Sequence, residues 1–394
     1  MYESPRQASR IKEVQSGALL CILYRHIVQI EMSPGDGVGG LFYTFCLRWP
    51  PGRIQWAIFE AGRSLYGKWK SDIIIPVNGI NCLFNMEGID FTDPLNARIG
   101  KDMKNMDNVV LLDGAVGTSL WEKSGNNDPV WQYNMTNPEI VKELSSEYVE
   151  AGAEMVLSNT FGINRIIGDK FGYNVTEVVT KAMELLHEAV DGRIPTGSPS
   201  KEPVKTILSS GPLTAILEPY GDLEEDECAS IYNEILKAGV EGKPDYIWFQ
   251  TFMDLNMMEV AVKEAAKFDI PVFCSLSFAE IGKTMFGNSP EDVAERLKPY
   301  EQVKAIGVNC SLGPDKAMGI IKQFHECTDL PIIFKPNAGI PISSADGSST
   351  TIYDVDSFVK ETIPAIEYGV KYIGGCCGTN PRYITAMRKA LGRS

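Results

Sequence analysis

Histidine is scarce in this chain: three in 394 residues, His26, His187 and His325. None of them opens an H-E-x-x-H zinc helix, and none of the nine cysteines forms a C-x-x-C pair. An odd, scattered set of cysteines also excludes the disulfide framework of a small secreted domain. Positive charge is short as well: 37 Lys+Arg face 51 Asp+Glu, a net charge of −14 that argues against a nucleic-acid surface. No apolar run reaches the ~20 residues of a membrane-spanning helix. Gly17-Ala18-Leu19-Leu20-Cys21-Ile22-Leu23-Tyr24 is too short, and it ends in Arg25-His26 with no cleavage site of the signal-peptide kind. Thiols left free need a reducing compartment, so a cytoplasmic protein is expected, with small-molecule substrates and neither membrane nor nucleic-acid partner.

What is present divides near residue 103. Residues 1–102 hold 11 Lys+Arg against 10 Asp+Glu, leaving 26 against 41 for the remainder, so the acidity belongs to the later part. The first part carries Trp49, Trp56 and Trp69, half of the six tryptophans, and no regular strand–helix alternation. Trp49-Pro50-Pro51-Gly52-Arg53 breaks whatever period there is. Three readings stand for 1–102: a small accessory domain, a poorly ordered extension, or sequence upstream of a start at Met103 or Met106. No function is assigned to it.

From Asn108 the pattern becomes regular. Short apolar runs at 109–112, 154–157, 205–208, 246–249, 272–274, 305–308, 331–334 and 370–373 alternate with amphipathic stretches. The helical stretches are expected at 140–151, 176–190, 226–238, 255–267, 290–298, 315–325, 355–368 and 381–391. Asn137-Pro138-Glu139 and Ser289-Pro290-Glu291 read as capped helix starts. Buried strands alternating with helices imply a parallel sheet, and eight units imply a closed (β/α)8 TIM barrel over 103–394. An open doubly wound sheet is the runner-up, but nothing like G-x-G-x-x-G follows the first run.

In such a barrel the residues just past each strand share one rim, where the chemistry sits. Cys310 follows the sixth run in Gly307-Val308-Asn309-Cys310, and Cys376 and Cys377 follow the eighth in Gly374-Gly375-Cys376-Cys377-Gly378-Thr379. A vicinal cysteine pair has other readings: a redox disulfide, small packing residues, or a glycine-rich phosphate cradle. With Cys310 at a matching strand end, three sulfurs and no fourth protein ligand point to zinc with one open position, suited to a thiol substrate. The rest of the rim is small and polar: Asp113-Gly114, Ser158-Asn159-Thr160, Ser210-Gly211-Pro212, Gln250-Thr251, 275–277, Asn309 and Pro336-Asn337. His187 and His325 fall in helices, and Cys228 and Cys274 read as buried hydrophobes, while Cys327 falls in a loop before the seventh run.

Asp113-Gly114-Ala115-Val116-Gly117-Thr118, Asn159-Thr160-Phe161 and the two cysteine motifs together resemble the homocysteine S-methyltransferase family. Gly211-Pro212, Glu218-Pro219-Tyr220-Gly221 and Lys335-Pro336-Asn337-Ala338-Gly339 are similar to the homocysteine module of cobalamin-dependent methionine synthase. The resemblance covers about residues 106–392 and leaves the first hundred untouched. It implies that Cys310, Cys376 and Cys377 hold zinc, that zinc holds the homocysteine sulfur, and that methyl transfer yields methionine. It further implies that Asp113, Gly114 and Thr160 orient the amino-acid end of the substrate, with Asn159, Gln250 and Asn309 lining the same site.

One departure stands out. Where the family carries a Glu-Thr pair, its glutamate expected to meet the substrate ammonium, this chain has Gln250-Thr251. An amide accepts a hydrogen bond without supplying a countercharge, a loss on the order of 1–2 kcal/mol for a cation in a partly dry site. Either Asp113 compensates or the acceptor is another thiol. No D-x-H-x-x-G corrinoid signature surrounds any histidine, so a methylcobalamin donor would arrive on a separate corrinoid protein; a small methyl donor is the other option. A zinc-binding barrel without turnover is the reading from outside enzymology.

Overall fold

The computed structural model describes the strands between residues 41 and 85, Met106, and residues 108–339, 342–343, 349–350 and 353–394. The 17–24 run and Met103 lie outside these described residues. The chain divides into two units, Met1–Asp102 and Met103–Ser394.

In the first unit β1 (Leu41–Trp49) pairs antiparallel with β2 (Arg53–Ala61), and β3 (Asp72–Val77) with β4 (Ile80–Asn85). Asn78-Gly79 separates the second pair, the dipeptide that two-residue hairpins favour most. That hairpin signal is legible in a segment that has no strand–helix alternation.

The second unit is an eight-stranded parallel sheet. Its strands are β5 (Val110–Leu111), β6 (Met155–Leu157), β7 (Lys205–Ser210), β8 (Tyr246–Phe252), β9 (Val272–Leu276), β10 (Val303–Asn309), β11 (Ile332–Lys335) and β14 (Val370–Ile373). The order β5-β14-β11-β10-β9-β8-β7-β6 runs through the sheet, and a parallel bridge from Leu112 to Met155 joins its two ends into a barrel. The short pair β12 (Ile342–Ser343) and β13 (Ser349–Thr350) decorates the connection after β11.

Side chains alternate across each strand, so each buries one set inward and one outward. The inward set, with Leu112, Met155, Leu157, Ile207, Trp248, Phe273, Ala305, Ile333 and Tyr372, fills the barrel. Phe273 centres this plug, 4.5 Å from the Tyr372 ring and 6.0 Å from that of Trp248 between centroids. The outward set packs beneath helices α1 (Gly117–Ser124), α2 (Tyr133–Thr136), α3 (Pro138–Ala151), α4 (Arg165–Phe171), α5 (Val175–Val190), α6 (Glu225–Glu241), α7 (Leu255–Ala265), α8 (Pro290–Leu297), α9 (Pro314–Cys327), α10 (Val355–Thr362) and α11 (Pro381–Ala390).

Three local expectations need correction. Asn137 occupies the position before α3, yet its side chain makes no capping bond; Pro138 sets the first turn alone. The helix expected over 355–368 stops at Thr362 and tightens into a 3-10 turn over Ile363–Tyr368, because Pro364 has no N–H to give. Cys327 is the last residue of α9 rather than a loop residue. At Ser289 the full capping box forms: its hydroxyl accepts from the Asp292 N–H, and the Asp292 carboxylate accepts from the Ser289 N–H.

Candidate metal centre at the barrel mouth

Cys310 lies one residue past β10, and Cys376 and Cys377 lie three and four past β14. Their three sulfurs fall within 4.8 Å of one another. The Cys310 and Cys377 Sγ atoms are 3.7 Å apart. Tetrahedral thiolates at Zn–S distances of about 2.3 Å would sit about 3.8 Å apart, so the donor set fits zinc with one position left for another ligand.

The backbone is bent to make this happen. Cys310 and Ser311 both take left-handed conformations, φ 62° and 59°, at a cost of roughly 1–2 kcal/mol per residue. Three bonds hold the turn: Cys310 N–H to the Lys335 carbonyl at 3.0 Å, Leu312 N–H to that of Cys310 at 2.7 Å, and Asn337 N–H to that of Leu312 at 2.9 Å. The second loop is pinned as firmly. Cys376 N–H donates to the Pro336 carbonyl at 2.8 Å, and the Thr379 hydroxyl donates to the Cys376 carbonyl at 2.7 Å. Gly378 turns this loop with φ 82°, where a Cβ would lie 1.9 Å from the Gly339 oxygen.

Proton sharing sets the electrostatics of the three thiols. Bonds from Cys376 and then Cys377 hold the Cys310 thiol well below the ordinary thiol range. The bond to Cys310 pushes both donors the other way, and burial adds to the rise. The metal-free cluster therefore carries its charge on Cys310.

Around the sulfurs lies a polar layer above the aromatic plug. Asn309 reaches Cys376 Sγ at 4.0 Å with its amide nitrogen and donates from the same atom to the Thr251 hydroxyl at 2.7 Å. Its oxygen accepts from Thr251 N–H at 2.8 Å and from the Ser275 hydroxyl at 2.6 Å. Ser275 in turn accepts from the Trp248 indole at 2.9 Å, which ties the mouth to the plug. Thr251 is itself left-handed, φ 63°.

The other rim residues are placed less uniformly. Gln250 donates to the Ser209 hydroxyl at 2.6 Å, and Thr160 donates to the Ser209 carbonyl at 2.5 Å, so these two meet at one residue. Asn159 donates to the Val130 carbonyl at 2.7 Å and to Asn134 Oδ1 at 3.0 Å, while its own Oδ1 is buried without a partner, as is that of Asn337. Gly114 packs against Tyr148: a Cβ there would lie 2.7 Å from the phenol oxygen. Asp113 is wholly buried, with Oδ1 2.5 Å from Lys335 Nζ and Oδ2 accepting from Leu157 N–H at 2.8 Å.

Lys335 is the site residue that sequence reasoning passed over. It shares the phase of Ile333, two residues earlier and inside the barrel, and its Nζ lies 5.3 Å from the Trp248 ring centre. A lysine in phase with the interior of a buried strand was the signal. Neither His187 nor His325 joins the site. His187 on α5 bonds Asp191 and the Gly242 carbonyl at 2.7 and 2.6 Å, and His325 on α9 stacks edge-on to Tyr368. Cys228 and Cys274 are buried as expected, and burial pushes the Cys228 thiol up to about 12.

Fold and site together define a (β/α)8 barrel with a trithiol centre at the carboxyl ends of its strands. Residues 110–391 match the family described as homocysteine S-methyltransferase. The methionine synthase of Mycobacterium leprae is 26% identical over 304 residues, covering 72% of this chain and 24% of that protein. The chain thus spans about a quarter of that relative's length. Homocysteine S-methyltransferase 2 of Zea mays is 26% identical over 72% of this chain and 90% of its own. The metallated homocysteine methyltransferase MmuM of Escherichia coli shares the fold, with a TM-score of 0.60 and 22% identity over 76% of this chain and all of that one. The chain belongs to the homocysteine S-methyltransferase family.

Proposed function

We propose that the barrel is a zinc-dependent S-methyltransferase whose acceptor is a small thiol, homocysteine being the one its family name specifies. The observation that carries this reading is the set of three converging sulfurs, a group that no fourth Cys, His, Asp or Glu joins among the described residues. Bound there, zinc supplies Lewis acidity that keeps the acceptor sulfur a nucleophile near neutral pH.

The chain's own residues do the rest. Cys310, Cys376 and Cys377 supply the donor atoms, and the strained turn at Cys310–Ser311 keeps them converged before any ligand arrives. Asn309 fixes the Cys376 sulfur from one side while its oxygen is held by Thr251 and Ser275, so its amide cannot rotate freely. In the transfer the acceptor sulfur attacks the methyl carbon in line as the bond from that carbon to the donor breaks, the donor leaving with the electron pair. Positioning and charge therefore account for the catalysis, without a histidine base.

The donor is either methylcobalamin on a separate corrinoid protein or a small methylated sulfonium or betaine-like compound. Among the described residues no helix is long and apolar enough to cross a membrane. A second reading, transfer to a thiol other than homocysteine, is favoured by Gln250 and its bond to Ser209.

The test is metal content and turnover. The full chain is expected to bind one zinc, to lose it in Cys310→Ala, and to methylate a thiol from methylcobalamin or S-methylmethionine. A chain without stoichiometric metal overturns the reading; metal without turnover supports the non-catalytic barrel instead.

A further inference from the structure

An amino-acid thiol brings an ammonium group into a half-dry mouth, and a buried cation needs a countercharge. Two carboxylates lie two residues past a barrel strand, Asp254 after β8 and Asp113 after β5, and Asp113 is the one paired with a cation. Its two oxygens are already engaged, Oδ1 by the Lys335 ammonium at 2.5 Å and Oδ2 by the Leu157 N–H at 2.8 Å. Both partners of the pair are almost wholly buried, with 2% and 1% of their side-chain surfaces exposed. A second ammonium would have to share Asp113 with Lys335 and would face that lysine's charge at close range. Asp254 spends an oxygen on capping α7 through the Asn256 N–H at 2.9 Å. Gln250 offers an amide whose nitrogen is committed to Ser209. Outside the trithiol centre, the carboxylate and the ammonium nearest the mouth thus neutralise each other before substrate enters.

We propose that this barrel selects a thiol without an ammonium group, one that carries a neutral amide or hydroxyl in its place, and that Lys335, Asp113 and Gln250 set that selection. The inference rests on the thiol-methyltransferase reading above and names the acceptor class for the same site. The unpartnered oxygens of Asn159 and Asn337, both buried at the same rim, suit it: each accepts from an N–H or O–H without needing that donor to be charged. Lys335 acts at one remove, since it neutralises Asp113 rather than reaching for the thiol.

Cobalt substituted into the full-length protein gives a readout that does not depend on turnover, because a sulfur entering the metal's coordination shell changes its absorption. Homocysteine, N-acetylhomocysteine and 4-mercaptobutanoate differ at the amino position and serve as probes. N-acetylhomocysteine is expected to bind at least about tenfold tighter than homocysteine, with 4-mercaptobutanoate also ahead of homocysteine. Gln250→Glu is expected to turn the preference back toward homocysteine by about tenfold. Lys335→Gln, which releases Asp113, should move it the same way, and retained cobalt stoichiometry shows that each variant has kept its site. Homocysteine binding as tightly as N-acetylhomocysteine, or more tightly, overturns the selection and leaves thiol methylation standing. A cobalt spectrum that no thiol alters overturns both.

Discussion

The protons on the three sulfurs are the most informative small detail of the site. Bonds from Cys376 and Cys377 lower the Cys310 thiol, while the same bonds and burial raise the donors. At pH 7 the metal-free cluster therefore keeps its protons on Cys376 and Cys377, and a metal that binds all three as thiolates must displace them. Zinc uptake is expected to release about two protons, so apparent affinity falls as pH falls, by about two log units per pH unit below neutrality. Calorimetry in buffers of differing ionisation enthalpy measures that number directly. Release of about three protons would show that Cys310 is protonated in the free protein. Asn309→Ala gives a second check at this scale. It removes the amide beside Cys376 and the anchors of Thr251 and Ser275, and a buried network broken on one side costs about 1–3 kcal/mol. A lower midpoint in denaturant and weaker metal retention are expected together. Residue by residue, legibility followed rarity. Three cysteines at two strand ends stood out against a small polar rim, whereas Lys335 hid inside a motif that read only as a family resemblance. What occupies Asp113 was not readable, because its partner lies 222 residues away.

Elements were legible where a local rule and the packing agreed. The starts at Pro138 and Pro290 look alike in sequence, but only Ser289 closes a capping box. Substituting Ser289 by Ala is expected to cost about 1 kcal/mol through two lost bonds at the start of α8, read as a lower denaturation midpoint with an unchanged slope. Asn137→Ala should cost less, because no side-chain bond is lost there. Pro364 shows the opposite case: the apolar period continues through it, so the pattern suggested one helix and the backbone made two segments. Strand ends were underestimated in β7, β8, β9 and β10, each of which runs on into its polar rim residues. The reading stopped where hydrophobicity stopped, yet Ser209 and Asn309 keep pairing, with Trp248 and Lys335, and Gln250 sits in the irregular step between Phe249 and Phe252 with its amide on Ser209.

At the scale of the molecule, eight alternating units were readable because buried parallel strands and amphipathic helices differ both in period and in length. The pairs β1–β2 and β3–β4 have no repeat to announce them, and only Asn78-Gly79 marked the second of them in the sequence. The barrel closes on itself through the Leu112–Met155 bridge, and every rim residue named above lies between Asp113 and Cys377. At the opposite end Glu154 seals the barrel: it accepts from the Leu111 N–H at 2.9 Å and pairs with Arg393 at 2.8 Å. That latch joins both ends of the 103–394 segment, so the barrel is proposed as a domain in its own right. Expressed alone, residues 103–394 are expected to bind one zinc per chain with the affinity of the full chain, and to melt in a cooperative transition that metal raises. Equal zinc affinity in the two forms would assign residues 1–102 a role apart from the metal centre. A barrel that folds but loses zinc affinity tenfold or more, about 1.4 kcal/mol, would mean instead that the first unit supports the site. Arg393→Ala separates that outcome from a failure of the barrel itself, because opening the Glu154 latch lowers the melting temperature while the three sulfurs, at the far rim, still converge.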